Sequence, residues 1–299
     1  MKARRYYLRL LTFALSLFII IPAALVFGVA YATASAYISP APSSVSRPPD
    51  LPFVVEDVSF MGGDDVTLRG WYTPPSNGVV IIVLHGYDSN RLSMMFHAEA
   101  LTQAGYGVLM YDERGHGMSD VTQRSFGWRD VEDVGGALAF LDGKRCAGEG
   151  KTCVRTVALV GCSIGGQIGL RAAAHYPEIR AVLADGPAIV SAADLPPADG
   201  LKPSTIWDSL IDRFLELRLG TAAPAPVVEV IDEIAPRPIL LIAGAAGKEL
   251  EPIRYYRERA GDKAQIWEVP GATHCDGPSV APEEYARRMV AFFDEATSS

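Results

Sequence analysis

A serine flanked by glycines, in Gly161-Cys162-Ser163-Ile164-Gly165, directly follows a short β-branched and apolar run at Thr156–Val160. An Ala-rich segment with helical periodicity extends from there to Tyr176, so the serine is predicted to lie on a sharp strand-to-helix turn. Glycines suit such a turn because the crowded backbone leaves no room for a Cβ. The turn exposes the Ser163 hydroxyl and directs a helix N-terminus toward it, which favours nucleophilic chemistry. A glycine-rich turn that merely contains a serine is the alternative interpretation.

A serine is a weak nucleophile until a neighbouring imidazole takes its proton. His274 ends the loop Pro270–His274, which follows the last predicted strand at Gln265–Val269. The carboxyl ends of parallel strands meet at one edge of a sheet, so His274 is predicted to reach Ser163. His97 and His175 lie within predicted helices and have no such placement.

A second loop bears on the same chemistry. His85-Gly86-Tyr87 follows the continuous apolar run Val79–Leu84, which is typical of a strand buried on both faces. An oxyanion hole needs two converging N–H groups, and we predict that Tyr87 and Ile164 supply them. We predict that His85 is a structural hydrogen-bonding residue, and that His116 belongs to a structural loop near the site.

The N-terminal segment has the composition of a membrane anchor. Residues 1–9 carry Lys2, Arg4, Arg5 and Arg9 without an acid, and residues 10–34 are almost wholly apolar. About 20 such residues span a bilayer as a helix, and the preceding bases place the N-terminus in the cytoplasm. We therefore predict an uncleaved single-pass signal anchor in the cell membrane, with the remaining chain outside the cytoplasm. The alternative is a signal peptide cleaved near Ala32–Ala36.

The rest of the chain is predicted to form one large domain. Residues 35–52 are rich in Pro and Ser and indicate an extended linker, so the domain should occupy residues 53–299. Apolar runs alternate there with helical patterns, which predicts an α/β fold with a doubly wound, mostly parallel sheet of about eight strands. From residue 50 onward the chain has 22 basic and 35 acidic residues, so nucleic-acid binding is not expected.

The four cysteines permit two structural hypotheses. Cys146 and Cys153 flank a polar loop and either form a disulfide or remain as two unpaired thiols. Cys162 and Cys275, beside Ser163 and His274, are expected to be small packing residues. Their spacing fits no zinc pattern, and no metal or organic cofactor is implied.

Four motifs occur in a fixed order: HGY after a strand, DERGHGMSD, GCSIGG, and GATH near the C-terminus. Together they resemble the α/β-hydrolase superfamily, in its serine hydrolase branch of esterases, lipases and S33-like peptidases, and most of all membrane-anchored bacterial members. The resemblance implies a lid, here about residues 187–236, in which Ile206, Leu210, Phe214 and Leu217 would either line an acyl pocket or pack on the core.

The chain departs from the family pattern at the acid that orients the histidine. Such proteins carry G-x-x-D after the seventh strand, but Gly244-Ala245-Ala246 is followed here by Gly247. Glu249 is the first candidate, and Glu251 and Asp185 are the alternatives. The sequence thus predicts an enzyme that cleaves small-molecule carboxylic esters or related acyl compounds. A peptidase or amidase of the same fold, and a catalytically inactive binding domain, are the competing hypotheses.

Overall fold

The computed structural model describes residues 2–145, 152–197 and 203–298. The predicted disulfide of Cys146 with Cys153 involves a residue outside these ranges and stays a prediction. The described residues divide into two compact units. One contains the N-terminal helix together with a helix of the predicted lid. The other contains the chain from Ser39 onward apart from residues 199–223.

The strands of the described chain are β1 (Ala41–Pro42), β2 (Glu56–Met61), β3 (Thr67–Thr73), β4 (Val79–Leu84), β5 (Gly107–Tyr111), β6 (His116–Gly117), β7 (Thr156–Cys162), β8 (Ile179–Asp185), β9 (Ile239–Gly244) and β10 (Ala264–Val269). Eight of them form one sheet in the order β10-β9-β8-β7-β4-β5-β3-β2. β3 pairs antiparallel with both neighbours and the other pairings are parallel. The predicted mostly parallel sheet of about eight strands is confirmed.

The helices of the described chain are α1 (Lys2–Tyr37), α2 (Met95–Gln103), α3 (Asp130–Asp142), α4 (Ile164–His175), α5 (Pro203–Leu219), α6 (Val227–Val230), α7 (Leu250–Ala260), α8 (Gly277–Val280) and α9 (Pro282–Thr297). α3 begins at Asp130, whose carboxylate accepts the Gly127 N–H at 2.8 Å. Gly127 has a φ of +81°, which is not helical, so the helix cannot begin before it.

The core lies on both faces of the sheet. All six residues of β4 are buried, and they alternate between two hydrophobic clusters. Val80, Ile82 and Leu84 pack with residues of α3, α4 and α7, whereas Val79, Ile81 and Val83 pack with residues of α2 and α9. The continuous apolar run therefore reflects burial on both faces, as the sequence predicts for a central parallel strand.

The segment after α1 is ordered against the large unit. Ala41 and Pro42 form a short parallel ladder with His116 and Gly117, in which the Ala41 N–H donates to the Gly115 carbonyl at 2.7 Å. The Asn90 side chain also donates to Ser43 Oγ at 3.1 Å. Residues 35–37 of the predicted linker belong to α1, and the Pro- and Ser-rich segment adds two residues of strand to the edge of the His116 loop. Its role as a linker stays a prediction.

The small unit consists of α1 and α5. α1 includes a stretch, Phe18–Tyr37, that is long and apolar enough to cross a membrane, with a mean hydropathy of 2.0, and little of it is buried. A signal sequence has the same properties, so both hypotheses for this segment remain. α5 lies within the predicted lid at about residues 187–236, and its role as a lid stays a prediction.

The loop after β5 is fastened by a buried ion pair. Arg114 donates to both carboxylate oxygens of Asp133 at 2.7 Å, and both side chains are buried. Asp133 also accepts the Gly63 N–H at 2.9 Å, which ties the turn between β2 and β3 to α3. This is the structural role that the sequence predicts for the DERGHGMSD loop.

We expect Asp133→Ala to lower the free energy of unfolding by about 3 kcal/mol, because the buried Arg114 guanidinium then keeps only its longer contacts, at 3.3 Å, with the Asp64 carboxylate and the Gly63 carbonyl. Asp142→Ala is the matched control on the same helix, since its partner Arg145 and its own side chain are exposed, and it should cost no more than about 1 kcal/mol. Urea unfolding of both variants measures the difference. Equal losses would contradict the assigned role of the buried pair.

Candidate active site

Ser163 lies between β7 and α4 in a backbone conformation that side chains rarely adopt, with φ +55° and ψ −119°. The turn brings α4 so close to the end of β4 that a Cβ on Gly165 would stand 2.5 Å from the His85 carbonyl oxygen. The Ser163 N–H donates to the Asp185 carbonyl at 2.8 Å, which fixes the turn to the neighbouring strand. The hydroxyl is thereby held at the carboxyl edge of the sheet.

His274 reaches this hydroxyl from the loop after β10. Its Nε2 atom lies 3.0 Å from Ser163 Oγ. The loop is braced by Asp276, whose carboxylate accepts the Thr273 N–H at 2.7 Å and the Thr273 hydroxyl at 2.8 Å. Asp276 is not among the residues predicted from the sequence, although its position two residues after His274 places it in the same loop. The structure therefore brings together the serine and histidine that the motifs predict.

Glu249 is the acid that contacts the histidine. One carboxylate oxygen is hydrogen bonded to His274 Nδ1, and the other accepts the Gly244 N–H at 2.9 Å. The hydrogen bond that the Glu249 carboxylate accepts raises the pKa of His274 above its usual value, against the opposing effect of partial burial. Gly186 lies close to this contact, since a Cβ there would stand 3.0 Å from both Glu249 Oε2 and His274 Nδ1.

The two alternative acids are placed elsewhere. Glu251 is exposed in the first turn of α7. Asp185 is buried and accepts the Tyr285 hydroxyl at 2.8 Å, and the same Tyr285 oxygen lies 3.0 Å from His97 Nε2. Burial raises the pKa of Asp185 to about 7. Asp185 thus belongs to a buried polar chain behind the site and acts on His274 through its charge, without a hydrogen bond to it.

The loop after β4 borders Ser163 on its other side. A Cβ on Gly86 would lie 3.4 Å from Ser163 Cβ, so the backbone that leads to Tyr87 runs beside the serine. Ile164 is the first residue of α4, where helix N–H groups have no partner within the helix. Both residues of the predicted oxyanion hole therefore border the serine, and their role stays a prediction.

His85 and His116 are structural, as predicted. His85 is fully buried, its Nδ1 lies 2.7 Å from the Gly86 carbonyl oxygen, and its Nε2 accepts the Glu113 N–H at 3.0 Å. Burial lowers the pKa of His85 to about 3, so the ring is neutral. Within the described residues, His85, Glu113 and His116 have side-chain atoms close enough for a metal ion. The Nε2 lone pair of His85 is already used by the Glu113 amide, which makes this cluster a poor metal site.

The prediction that Cys162 and Cys275 are small packing residues is wrong. They form a disulfide with a Cα–Cα distance of 6.0 Å, which joins the residue before Ser163 to the residue after His274. Residues 113 apart in sequence become neighbours because the turn after β7 and the loop after β10 meet at one sheet edge. The disulfide could have been predicted from the expected proximity of Ser163 and His274, since the cysteines next to them must then approach each other as well.

We expect Cys162→Ser to lower the free energy of unfolding by about 4–5 kcal/mol, because the cross-link closes a long loop in the unfolded chain. Cys275→Ser and the double variant should show the same loss, since either change removes the entire cross-link. Urea unfolding of the three variants under oxidising conditions measures this. Additive losses in the double variant would contradict the cross-link.

Comparison with known proteins adds to this geometry. A family model described as serine aminopeptidase, S33, matches residues 75–222. The uncharacterized protein YqkD of Bacillus subtilis is 26% identical over 244 residues, which are 78% of this chain and 77% of YqkD. A thermostable monoacylglycerol lipase of Bacillus sp. strain H-257 is 32% identical over 124 residues, which are 40% of this chain and 44% of the lipase.

Among solved structures, the esterase Pf2001 of Pyrococcus furiosus superposes with a TM-score of 0.70 at 25% identity, over 87% of this chain and 98% of the esterase. The sheet order, the serine on a strand-to-helix turn and these relatives all indicate the same fold. The chain has the α/β-hydrolase fold.

Proposed function

We propose that this protein is a membrane-anchored serine hydrolase that cleaves carboxylic esters through an acyl-enzyme intermediate. The observation that carries the proposal is the hydrogen-bonded series of Ser163, His274 and Glu249, in which a hydroxyl, an imidazole and a carboxylate are arranged for nucleophilic catalysis. Relatives described as an esterase and a monoacylglycerol lipase support an ester as the substrate class.

In the first half of the reaction, Ser163 Oγ attacks the ester carbonyl carbon while His274 Nε2 takes the hydroxyl proton. The amides of Tyr87 and Ile164 stabilise the negative charge on the carbonyl oxygen in the tetrahedral intermediate. The bond from carbon to the alcohol oxygen then breaks, and His274 returns the proton to the leaving alcohol. Water attacks the acyl-enzyme in the second half by the same steps and releases the carboxylic acid.

Glu249 orients the imidazole and stabilises its protonated form. The glutamate lies two residues beyond the position where family members carry aspartate, and its longer side chain lets it contact Nδ1. The Gly244 N–H holds the second carboxylate oxygen, so the acid is fixed by the end of β9. This contact supports an active enzyme over the inactive binding domain, which remains the competing hypothesis outside catalysis.

The peptidase or amidase hypothesis uses the same three residues. It is supported by the description of the matching family model as a serine aminopeptidase. Esters and amides differ in their leaving groups, because an amine must be protonated before it departs and an alcohol leaves more easily. Turnover of matched ester and amide substrates by the purified protein therefore distinguishes the two hypotheses.

The membrane part of the proposal rests on α1. Its apolar stretch Phe18–Tyr37 follows four basic residues, and no charged residue lies between Leu10 and Ile38. This arrangement supports a single-pass anchor with the catalytic domain outside the cytoplasm. The competing cleaved signal peptide predicts instead a mature soluble chain that begins near Ala36.

We expect a fluorophosphonate probe to label the full-length protein, because only an activated serine reacts with such a probe. Ser163→Ala should abolish both labelling and ester turnover while it leaves the melting temperature unchanged. Ser279→Ala, at an exposed serine of α8, is the control and should label normally. A stable wild-type chain that is neither labelled nor active would support the binding-domain hypothesis, whereas turnover in Ser163→Ala would refute the mechanism.

We expect Glu249→Gln to lower kcat by about two to four orders of magnitude, because the amide cannot stabilise the imidazolium. The neutral imidazole is the active base, so kcat/KM rises with pH through the pKa of His274. Glu249 raises that pKa, and its replacement should shift the acid limb of the profile to lower pH. Glu251→Gln, two residues further and exposed, is the matched control. An unshifted limb in Glu249→Gln would exclude this acid.

A further inference from the structure

α5 presents residues of different character around its circumference. At about 100° per residue, Ile211, Leu215 and Leu219 fall on one side of the helix, and all three are buried. Ile206, Leu210 and Leu217 cluster on the opposite side. Ile206 is 55% exposed and Leu217 is 72% exposed. α5 therefore has an apolar side that is buried and a second apolar side, here called the outer stripe, that is not.

The contacts between α5 and α1 lie next to the outer stripe. The Phe214 ring meets the rings of Phe27 and Tyr31 edge to face, with centroids 6.4 and 5.5 Å apart. Arg218 donates to the Tyr31 hydroxyl at 2.8 Å and to Ser35 Oγ at 3.0 Å. Phe214 thus contacts α1, and the acyl-pocket role predicted for it stays a prediction.

The helical positions decide what surrounds the outer stripe. Phe214 is turned about 60° and Arg218 about 100° from the centre of the stripe, so the contact with α1 begins beside the stripe. In the opposite sense, the exposed Arg213 is turned about 40° from that centre, and Glu216, Asp212 and Asp208 are turned about 100°, 140° and 180°. A bilayer that encloses α1 beside Phe214 would also meet the stripe, and the carboxylates would point away from it.

The residues of α1 that contact α5 indicate how deep in the bilayer the contact between the two helices would lie. Tyr31 ends the nearly continuous apolar run that starts at Leu10, and Phe27 lies one turn before it. Tyr and Arg side chains concentrate at the boundary between headgroups and acyl chains, where an apolar body and a polar end are both accommodated. The pair of Tyr31 and Arg218 has this composition, and its guanidinium lies 5.5 Å from the ring centroid.

We propose that α5 is an interfacial membrane helix, whose outer stripe of Ile206, Leu210 and Leu217 inserts into the outer boundary between headgroups and acyl chains of a phospholipid bilayer. The inference rests on the anchoring of α1 in the proposed function. An amphipathic helix of this kind buries its apolar face in that boundary region.

The test places a fluorophore on the stripe. Leu217→Trp and Ile206→Trp are made separately in the full-length chain and reconstituted in phosphatidylcholine vesicles that carry bromine on acyl carbons near the headgroup. Glu258→Trp, at an exposed residue of α7, is the matched control. We expect the added tryptophan to be quenched at least threefold more strongly by brominated lipid in both stripe variants than in the control.

Native Trp207 on α5 gives a second measurement that does not alter the stripe. Trp207→Phe should reduce the total quenching of the wild-type chain, because Trp207 lies on the half of α5 that faces α1. If either stripe variant misfolds, Leu210→Trp, at the third residue of the stripe, replaces it. A tryptophan at position 210 that is quenched no more than the one in Glu258→Trp would overturn the proposal.

The remaining outcomes separate this inference from the anchor itself. A carbonate wash that leaves the chain in the vesicles, with stripe tryptophans quenched no more than the control, would overturn the interfacial helix and leave the anchor intact. Blue-shifted emission without bromine quenching would mean that protein covers the stripe, as a lid or a second copy of the chain would. Release of the chain by carbonate would overturn both the anchor and the interfacial helix.

Discussion

The close approach of α4 to the end of β4 is the constraint on which the site depends. It forces the Ser163 backbone into a left-handed conformation and excludes a side chain at Gly165. In return, the hydroxyl and the first amides of α4 occupy fixed positions at the sheet edge. A turn with more space would let the hydroxyl and these amides move relative to each other, and transition-state stabilisation in the proposed mechanism depends on their fixed geometry.

The sheet positions the three side chains of the site relative to one another. His274 follows β10, Glu249 follows β9, and Ser163 follows β7, so three loops from parallel strands meet at one edge. Each strand is held by apolar packing on both faces, and the loops carry the reactive groups on a rigid base. Asp276, Gly244 and the disulfide then fix each loop locally. The positions of the three side chains thus depend on the core more than on contacts among themselves.

Local patterns predicted much of this arrangement. β4 was predictable because burial on both faces leaves an uninterrupted apolar run, and Ser163 because a sharp turn needs contiguous glycines. Pairings between distant segments were less accessible. The disulfide joins residues 113 apart, the ladder at Ala41 lies in a Pro-rich segment without periodicity, and α5 has apolar residues on two sides. In each case the tertiary fold determines which residues come into contact, and a local sequence pattern carries no information about such contacts.

The disulfide beside Ser163 and His274 has a consequence for when the enzyme becomes active. Thiols of newly made chains stay reduced in the cytosol and pair in oxidising compartments. If the domain is exported as proposed, Cys162 and Cys275 join only after translocation, and the two loops acquire their cross-link at the site of action. Maturation would then depend on location, because a chain retained in the cytosol would lack the disulfide that joins the Ser163 turn to the His274 loop.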